Sequence, residues 1–128
     1  MTVTHPERLG REHRLRASRD FKAVQTEGTP YRGKFCILLV LARPGESTRF
    51  GFITSRRSVG NAVCRNRARR RLREIVRRRF PRMPRSGFAF VLIAHREALT
   101  ATHQELATDV ERLFARAGAL APIEPAEH

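Results

Sequence analysis

The residues with the clearest capacity for chemistry in this chain are arginines concentrated in one stretch. Between Arg56 and Arg79 the sequence has 11 arginines and a single acidic residue, Glu74. A helix that needs only solubility interleaves both signs of charge, because like charges at i and i+4 destabilise it. Guanidinium groups donate two parallel hydrogen bonds to a phosphate, so this surplus is typical of a surface that binds a polyanion.

The apolar residues of this stretch recur at helical spacing and predict one long amphipathic helix between Gly60 and Phe80. The residues expected to face the core are Cys64, Ala68, Leu72, Ile75 and Val76. Arginines flank this apolar seam on both sides when successive residues are placed about 100° apart. One flank carries a row of arginines four residues apart, namely Arg65, Arg69, Arg73 and Arg77.

Asn66 interrupts the arginines in the middle of that helix, where asparagine is a poor helix former with no cap to make. Two interpretations stay open: an incidental exposed residue, or a side chain that hydrogen-bonds RNA sugars or base edges. Upstream, Gly60 and Asn61 mark the entrance of the helix. Free backbone N–H groups there can meet an anion close to Arg56 and Arg57.

Membranes and DNA are the alternative polyanionic partners of such a helix. Its apolar stripe is narrow and has no aromatic residue before Phe80, which disfavours a membrane surface. A strand rather than a helix is expected before it, which disfavours a DNA-reading helix-turn-helix motif. The pattern favours RNA and leaves the other two as weaker alternatives.

Catalysis by the protein itself is not indicated. Hydrolysis of a phosphodiester needs clustered carboxylates or histidines that hold metal ions, whereas the 12 acidic residues are scattered along the chain. Cys36 and Cys64 are the only cysteines and lie far apart, so we expect neither a zinc site nor a disulfide framework. No pair with metal-ligand spacing occurs among the histidines, which are His5, His13, His95, His103 and His128.

Length and charge indicate one cytoplasmic domain. A chain of 128 residues with 41% hydrophobic residues can bury one core. Its net charge of +14 fits a polyanionic partner. The chain has neither a run of about 18 apolar residues, as a membrane span needs, nor the apolar core of a signal peptide. We expect a core at about residues 14–117, a flexible basic arm at residues 1–13 and a loose tail at residues 119–128.

Four segments predict strands. Residues 34–43 and 49–55, separated by a turn at residues 44–46, are expected to form an antiparallel pair. Residues 29–33 add a short strand before them. Residues 87–94 form a buried strand after the arginine-rich helix, and a crossover through a helix predicts parallel pairing of the strands it joins.

Two further helices flank these segments. Ser18 is the expected N-cap of a short helix that ends at Gly28. Thr102, followed three residues later by Glu105, predicts a capping box at the start of the last helix. That helix is expected to end at Gly118.

The segment from Phe50 to Arg77, FGFITSRRSVGNAVCRNRARRRLREIVR, strongly resembles the signature of the bacterial ribonuclease P protein subunit. The segment from Leu15 to Gly28 resembles the first helix of the same family, and the resemblance covers nearly all of residues 14–117. It implies an α+β fold, a single-domain two-layer sandwich of order α-β-β-β-α-β-α. It also implies a left-handed β-α-β crossover through the arginine-rich helix, although right-handed crossovers are the rule.

The resemblance further implies a function. In that family the RNA subunit removes the 5′ leader of precursor tRNA, and the protein binds the catalytic RNA and the single-stranded leader and lowers the magnesium requirement. Mg²⁺ would be held mainly by the RNA subunit, the protein alone would hold no cofactor, and neither DNA nor a membrane would be a partner. A structural RNA-binding protein of the ribosome or its assembly is the alternative, since it would share the basic helix.

Site residues are also implied by the resemblance. Phe21 would line the cleft through which the leader passes, with ordinary packing of helix on sheet as the alternative, and Arg56 and Arg57 would contact leader or RNA phosphates. Gln25 and Leu38 stand where many members carry aromatic residues, so we expect weaker base stacking here. The residues implied to contact the catalytic RNA are Arg65, Asn66, Arg67, Arg69, Arg70 and Arg73.

Overall fold

A computed structural model describes residues 9–121 of the chain, apart from the side chains of Arg56 and Ser58. The long elements follow the predicted order α-β-β-β-α-β-α, and the α+β class is confirmed. The structure adds a helix of a single turn before the arginine-rich one. The elements are α1 (Ser18–Glu27), β1 (Thr29–Arg32), β2 (Cys36–Ser47), β3 (Arg49–Ile53), α2 (Arg56–Val59), α3 (Ala62–Arg79), β4 (Ser86–Ala94) and α4 (His103–Arg116), with short 3-10 helices at Arg11–His13, Phe80–Arg82 and Arg96–Leu99.

The strands of the described chain form one sheet in the order β1-β2-β4-β3. β4 pairs antiparallel with β2 and parallel with β3, so the parallel pairing predicted across the arginine-rich helix is confirmed. The predicted pairing of residues 34–43 with residues 49–55 is wrong, because β4 lies between them. β4 carries buried residues on both of its faces, and such a strand gains most from having a neighbour on each side.

The turn predicted at residues 44–46 lies inside β2. The strand continues to Ser47, with a break in its register against β4 between Arg43 and Ser47. Gly45 has a φ of +83°, a conformation that glycine adopts readily because it has no Cβ atom. An irregularity in β2 therefore replaces the predicted turn. The short strand predicted at residues 29–33 is confirmed as β1, which pairs antiparallel with β2.

Alternate side chains of the sheet form two apolar clusters, one on each face. Helices α3 and α4 cover the face that carries Leu38, Phe90 and Leu92. Helix α1 covers part of the opposite face, where Leu39 and Val91 are buried. The two-layer sandwich expected from the sequence is thus extended by α1 into a partial third layer.

The predicted helix ends agree with the structure at three of four positions. Ser18 is the first residue of α1 rather than its N-cap, which is Ala17 without a side-chain hydrogen bond. Gly28 follows the last residue of α1 as predicted. At α4 the capping box is confirmed: the Glu105 N–H donates to Thr102 Oγ1 (3.1 Å) and the Thr102 N–H donates to Glu105 Oε1 (2.8 Å). Gly118 follows the C-cap residue Ala117 with a φ of +73°, the conformation in which glycine commonly ends a helix, so this prediction is confirmed as well.

The N-terminal end of the described chain packs onto the sheet. Leu9 is 2% exposed, and His13 Nδ1 lies 2.6 Å from the carbonyl oxygen of Thr48. Residues 9–13 therefore belong to the packed fold, contrary to the expectation of a flexible arm. The rest of that predicted arm, residues 1–8, lies outside the described residues.

The C-terminal end of the described chain is packed as well. Ala119 is 3% exposed, and the Ala121 N–H donates to the carbonyl oxygen of Arg82 (3.0 Å). The first residues of the predicted loose tail are therefore held against the fold, and residues 122–128 lie outside the described part of the chain.

Candidate nucleic-acid interface

Helix α3 presents its arginines because its apolar seam is fixed against the sheet and α4. The fully buried residues of the helix are Ala68, Leu72, Ile75 and Val76, all of which were predicted to face the core. Asn61 caps the first turn by accepting a hydrogen bond from the Cys64 N–H (3.0 Å). With this seam fixed, the arginines lie along its two flanks as predicted.

The arginines at the C-terminal end of α3 are bonded within the protein. Glu74, the single acid of the helix, accepts hydrogen bonds from Arg77 and from Arg78, the latter at 2.8 Å. These bonds lower the pKa of Glu74 to about 2. Arg79 pairs with Glu111 of α4 at 2.7 Å. Much of the positive charge at this end is therefore offset from within the fold.

Arg71, in the middle of α3, has a structural role. Its guanidinium donates to the carbonyl oxygens of Ala98 (2.6 Å), Leu99 (3.1 Å) and Ala101 (2.5 Å). Burial, and after it the charge of Arg67, lowers the pKa of this guanidinium. Arg71 thus joins α3 to the segment between β4 and α4, and three of its five N–H donors are used within the fold.

Other arginines of α3 carry no such bonds to charged groups, and we call them the open arginines. None of them forms an ion pair with any residue that the structure describes. Two are exposed and three are half-buried. All belong to the set implied by the resemblance to contact RNA, and the structure brings them together toward the N-terminal end of the helix. The open arginines are Arg65, Arg67, Arg69, Arg70 and Arg73.

Two open arginines, Arg69 and Arg73, form one wall of a groove of about 200 Å³ beside β3. The segment before α1 also lines the groove through Arg14 and Arg16, and it lies along β3, where Arg14 forms a parallel bridge with Phe50. We call this feature the arginine groove. The apolar residues that line it are Leu9, Leu15, Phe21, Phe50, Gly51 and Phe52.

Phe21 lies in the arginine groove and also packs on the sheet. A Cβ atom on residue 51 would overlap the Phe21 ring, so Gly51 allows the ring to lie directly on the backbone of β3. The ring is half-buried, so one part holds α1 on the sheet while the remainder faces the groove. Packing and groove lining, the two interpretations of Phe21, are therefore combined in one side chain, and its contact with a leader stays a prediction.

Positive charge is concentrated in the arginine groove. Burial first, and then the charges of Arg14 and Arg69, lower the pKa of Arg73. The Arg73 guanidinium also lies over the Phe52 ring, 5.9 Å from its centroid. No acidic side chain lines the groove within the described residues. An anion that enters between these arginines relieves their mutual repulsion, so the groove is suited to bind a phosphate.

Asn66 has a partner that the sequence did not indicate. Its Oδ1 accepts a hydrogen bond from Arg69 Nη1 (2.9 Å), while Arg69 Nη2 donates to Thr54 Oγ1 (3.1 Å). Asn66 is therefore not an incidental surface residue, and its contact with RNA stays a prediction. Thr54 is 5% exposed and was missed, because nothing in the local pattern connects it with a residue on α3.

The predicted pair Arg56 and Arg57 lies in α2, and Arg57 is not among the described residues that line the arginine groove. The Arg57 side chain is exposed, and that of Arg56 lies outside the described part of the structure. Arg14 and Arg16 reach the groove instead. No local pattern indicated them, since the contact that brings this segment to β3 is tertiary: the Leu15 N–H donates to the carbonyl oxygen of Phe50 (2.9 Å).

Gln25 and Leu38, the two positions compared with aromatic residues of the family, differ in their exposure. Gln25 is exposed on α1. Leu38 is fully buried on the sheet face opposite α1, so the expectation that it stands at the aromatic position of the cleft with Phe21 is wrong. Successive side chains of a strand point to opposite faces, and the strand neighbours Ile37 and Leu39 are the residues that face α1.

The His, Cys, Asp and Glu side chains of the described residues do not gather in one place. Across residues 9–121, no three His, Cys, Asp or Glu side chains are close enough to hold a metal ion. Cys36 and Cys64 are free thiols, and burial, followed by the nearby Asp109, raises the pKa of Cys36. In the same part of the chain, no helix has both the length and the apolar character needed to cross a membrane. The site offers cations and aromatic rings, which bind a polyanion.

Comparison with known proteins finds relatives over nearly the whole chain. The family model for ribonuclease P matches residues 9–118. The ribonuclease P protein component of Symbiobacterium thermophilum is 41% identical over 113 residues, which cover 88% of this chain and 96% of the relative. That of Acidothermus cellulolyticus is 39% identical over 112 residues, which cover 84% of this chain and 90% of the relative.

Solved structures share the fold. The ribonuclease P protein of Thermotoga maritima, 27% identical, superposes with a TM-score of 0.71 over 88% of this chain and 98% of that chain. The ribonuclease P protein of Staphylococcus aureus, 20% identical, superposes with a TM-score of 0.75 over 85% of this chain and 98% of that chain. The architecture described above is therefore that of a known fold.

Proposed function

The chain belongs to the ribonuclease P protein family, and we propose on this basis that it assists the catalytic RNA of ribonuclease P in removing the 5′ leader from precursor tRNA. It would do so by binding both the catalytic RNA and the single-stranded leader. Family membership disfavours the alternative of a structural protein of the ribosome, which would share the basic helix but would need no groove for a leader.

The observation that carries this proposal is the cluster of open arginines. Charges that are not offset within the fold attract the phosphates of an RNA, and each neutralised phosphate releases condensed counterions. Arg67 and Arg70 are exposed on the surface of α3, where a large folded partner such as the catalytic RNA could reach them. Arg69 and Arg73 instead face the arginine groove.

The arginine groove suits a single strand better than a duplex. A groove with cationic walls and an aromatic side chain is the arrangement with which proteins hold single-stranded nucleic acid. The resemblance implies contact with the catalytic RNA for Arg69 and Arg73, but because they line the groove we propose that they contact leader phosphates. Phe21 would stack on a base, a contact worth about 1 to 3 kcal/mol. Because the sheet face beside α1 is aliphatic at Ile37 and Leu39, we expect phosphate contacts to outweigh stacking.

Magnesium would be held by the RNA subunit. Mg²⁺ takes oxygen ligands such as carboxylates and phosphates, and the described lining of the arginine groove contains no carboxylate. When bound to the RNA, the ion would stabilise the charge that develops during phosphodiester hydrolysis. The open arginines would screen the repulsion between the catalytic RNA and the precursor, so that a lower magnesium concentration suffices to bring them together.

The test is multiple-turnover cleavage of a 5′-leadered precursor tRNA by a bacterial ribonuclease P RNA at low magnesium, with and without the protein. We expect the protein to restore cleavage at the correct position and to favour precursor over mature tRNA. Arg70→Ala removes an exposed open arginine and should weaken this rescue. Arg78→Ala removes an exposed arginine that is bonded to Glu74, and as the matched control it should retain the rescue.

One outcome would contradict the proposal. If the protein binds the RNA but changes neither the magnesium requirement nor the preference for leadered substrate, the basic surface serves another RNA-binding role.

A further inference from the structure

Arg69 is held from two sides by neutral hydrogen-bond acceptors. Asn66, on the preceding turn of α3, accepts from Nη1 at 2.9 Å, and Thr54, directly after β3, accepts from Nη2 at 3.1 Å. Since the acceptors come from different elements, the guanidinium is fixed relative to the sheet edge as well as to the helix. Within the described residues, no other open arginine has a side-chain hydrogen bond of this kind.

The neutrality of these acceptors matters for binding. Two of the five N–H donors of a guanidinium are used here, and the others stay free together with the full positive charge. Glu74 has the opposite effect on Arg77 and Arg78, because its carboxylate offsets their charge. The contacts around Arg69 therefore orient a cation without neutralising it.

Thr54 can influence a bound RNA only through Arg69. Its side chain is 5% exposed, and its hydroxyl oxygen is occupied by the Arg69 guanidinium. Thr54 is not among the described residues that line the groove, so we expect its hydroxyl not to contact a phosphate there. Thr54 thus allows an experiment that separates contact with RNA from positioning of a contacting residue.

We propose that Thr54 and Asn66 are positioning residues, which hold the Arg69 guanidinium in the orientation that meets a phosphate of the single-stranded leader. This inference rests on the proposed function, since it places the leader in the arginine groove. A side chain held in its binding orientation loses less conformational freedom when the ligand binds, which increases affinity. Paired hydrogen bonds to a phosphate also require the guanidinium fork to be correctly oriented.

The test is a double-mutant cycle on the holoenzyme reconstituted with a bacterial ribonuclease P RNA. Affinities for 5′-leadered precursor tRNA and for mature tRNA are measured for the wild type, Thr54→Val, Arg69→Ala and the double variant. Valine keeps the shape of threonine and removes the acceptor. We expect Thr54→Val to weaken precursor binding about three- to tenfold, to leave mature tRNA binding nearly unchanged, and to have no further effect once Arg69 is alanine.

Two controls accompany this cycle. Thr54→Ser keeps the hydroxyl and should bind precursor like the wild type. Thermal unfolding of every variant shows whether the fold is retained at the temperature of the binding measurement. A purely structural role for Thr54 would lower the unfolding temperature without changing the preference for precursor over mature tRNA.

Three outcomes would overturn the inference. Thr54→Val could weaken precursor and mature tRNA binding equally, or it could weaken precursor binding just as much in the Arg69→Ala background. An Arg69→Ala holoenzyme could also bind precursor as tightly as the wild type. In that case the positioning role is wrong, and the proposed function still stands if the wild-type protein lowers the magnesium requirement. Failure of the wild-type protein to favour precursor would overturn both.

Asn66 is tested in the same cycle. Asn66→Ala should weaken precursor binding when Arg69 is present and should have no further effect when Arg69 is alanine. A loss that persists in the Arg69→Ala background would show that Asn66 contacts the RNA directly, and would overturn its assignment as a positioning residue.

Discussion

Arg70 and Arg71 are neighbours on α3, yet their side chains serve opposite purposes. The Arg71 guanidinium donates to three backbone carbonyl oxygens, whereas the exposed Arg70 side chain has no hydrogen bond or ion pair within the described residues. The same contrast separates the two ends of the helix. The open arginines lie toward its N-terminal end, and arginines bonded to Glu74 and Glu111 lie at its C-terminal end.

This contrast shows that charge density alone does not locate a binding surface. An arginine bonded to a carboxylate or a carbonyl oxygen uses its donors within the fold, so its removal should lower stability. An arginine without such a partner keeps its charge for another molecule, so its removal should lower affinity. A helix that is basic along its whole length is thus divided into a structural part and a binding part, and substitutions can test the division.

The largest effect is expected for Arg71→Ala. Because three backbone carbonyl oxygens lose their charged donor, we expect the free energy of unfolding to fall by about 2 to 3 kcal/mol. Urea denaturation followed by circular dichroism measures this change. Arg70→Ala is the matched control and should change the free energy of unfolding by less than about 0.5 kcal/mol. Equal destabilisation by the two substitutions would show that the bonds of Arg71 to the backbone do not stabilise the fold.

The next largest effect on stability is expected on β3, at the floor of the arginine groove. Gly51→Ala places a methyl group where the Phe21 ring lies, and such overpacking costs about 1 to 3 kcal/mol. Displacement of the ring should also weaken holoenzyme binding to precursor tRNA more than to mature tRNA. Thermal unfolding and binding titrations measure the two effects.

Gly10→Ala is the control for this substitution, since its new methyl group would meet nothing closer than 3.5 Å. An unchanged stability of Gly51→Ala would show that the Phe21 ring does not need the bare backbone of β3.

Local features of the fold could be predicted from the sequence. The apolar seam of α3 and the capping box of α4 depend on residues within a few positions of one another, so periodicity and spacing suffice. The position of β4 between β2 and β3 could not be predicted, because strand order is decided by contacts across the whole fold and neighbouring segments usually pair. The pattern predicted the parallel pairing of β3 with β4, but it did not indicate that β4 also separates β3 from β2.

The composition of the candidate site could be predicted from the sequence, whereas the tertiary contacts of its side chains could not. Arginine density drew attention to α3, yet Arg71 differs from Arg70 only through carbonyl groups 27 to 30 residues away. The contact between Thr54 and Arg69 is likewise tertiary. Leu38 was assigned to the wrong face because a shift of one residue along a strand moves a side chain to the other side of the sheet.

A smaller effect, equivalent to the loss of about one charge, is expected in the salt dependence of affinity when a single open arginine is removed. Arg73→Ala should lower the slope of log affinity against log salt by about one for leadered precursor tRNA, and by much less for mature tRNA. Arg67 is exposed and does not line the groove, so Arg67→Ala should affect both tRNAs alike through weaker binding of the catalytic RNA. Titrations at several salt concentrations distinguish the two. An unchanged slope for Arg73→Ala would count against its contact with leader phosphates.

The smallest effects are expected at Glu74, where the two parts of the helix meet. Hydrogen bonds from Arg77 and Arg78 lower its pKa from the ordinary value of 4.5 to about 2. A carboxylate with a lowered pKa stabilises the fold at pH values above its ordinary pKa, and this stabilisation is lost as the pH falls from about 4.5 to about 2. Because the pair is largely exposed and screened by solvent, the contribution should stay below about 1 kcal/mol.

Glu74→Gln removes this stabilisation and also takes the carboxylate partner away from Arg78. The difference in the free energy of unfolding between wild type and Glu74→Gln should be present at pH 7 and should vanish near pH 2. At neutral pH the variant should bind the catalytic RNA more tightly, with a salt slope steeper by about one, because Arg78 becomes open. Glu97→Gln makes the same change in net charge at an exposed acid that has no ion pair among the described residues. If it steepens the slope equally, net charge rather than the bonding of each arginine decides affinity, and the distinction between the two ends of α3 loses its basis.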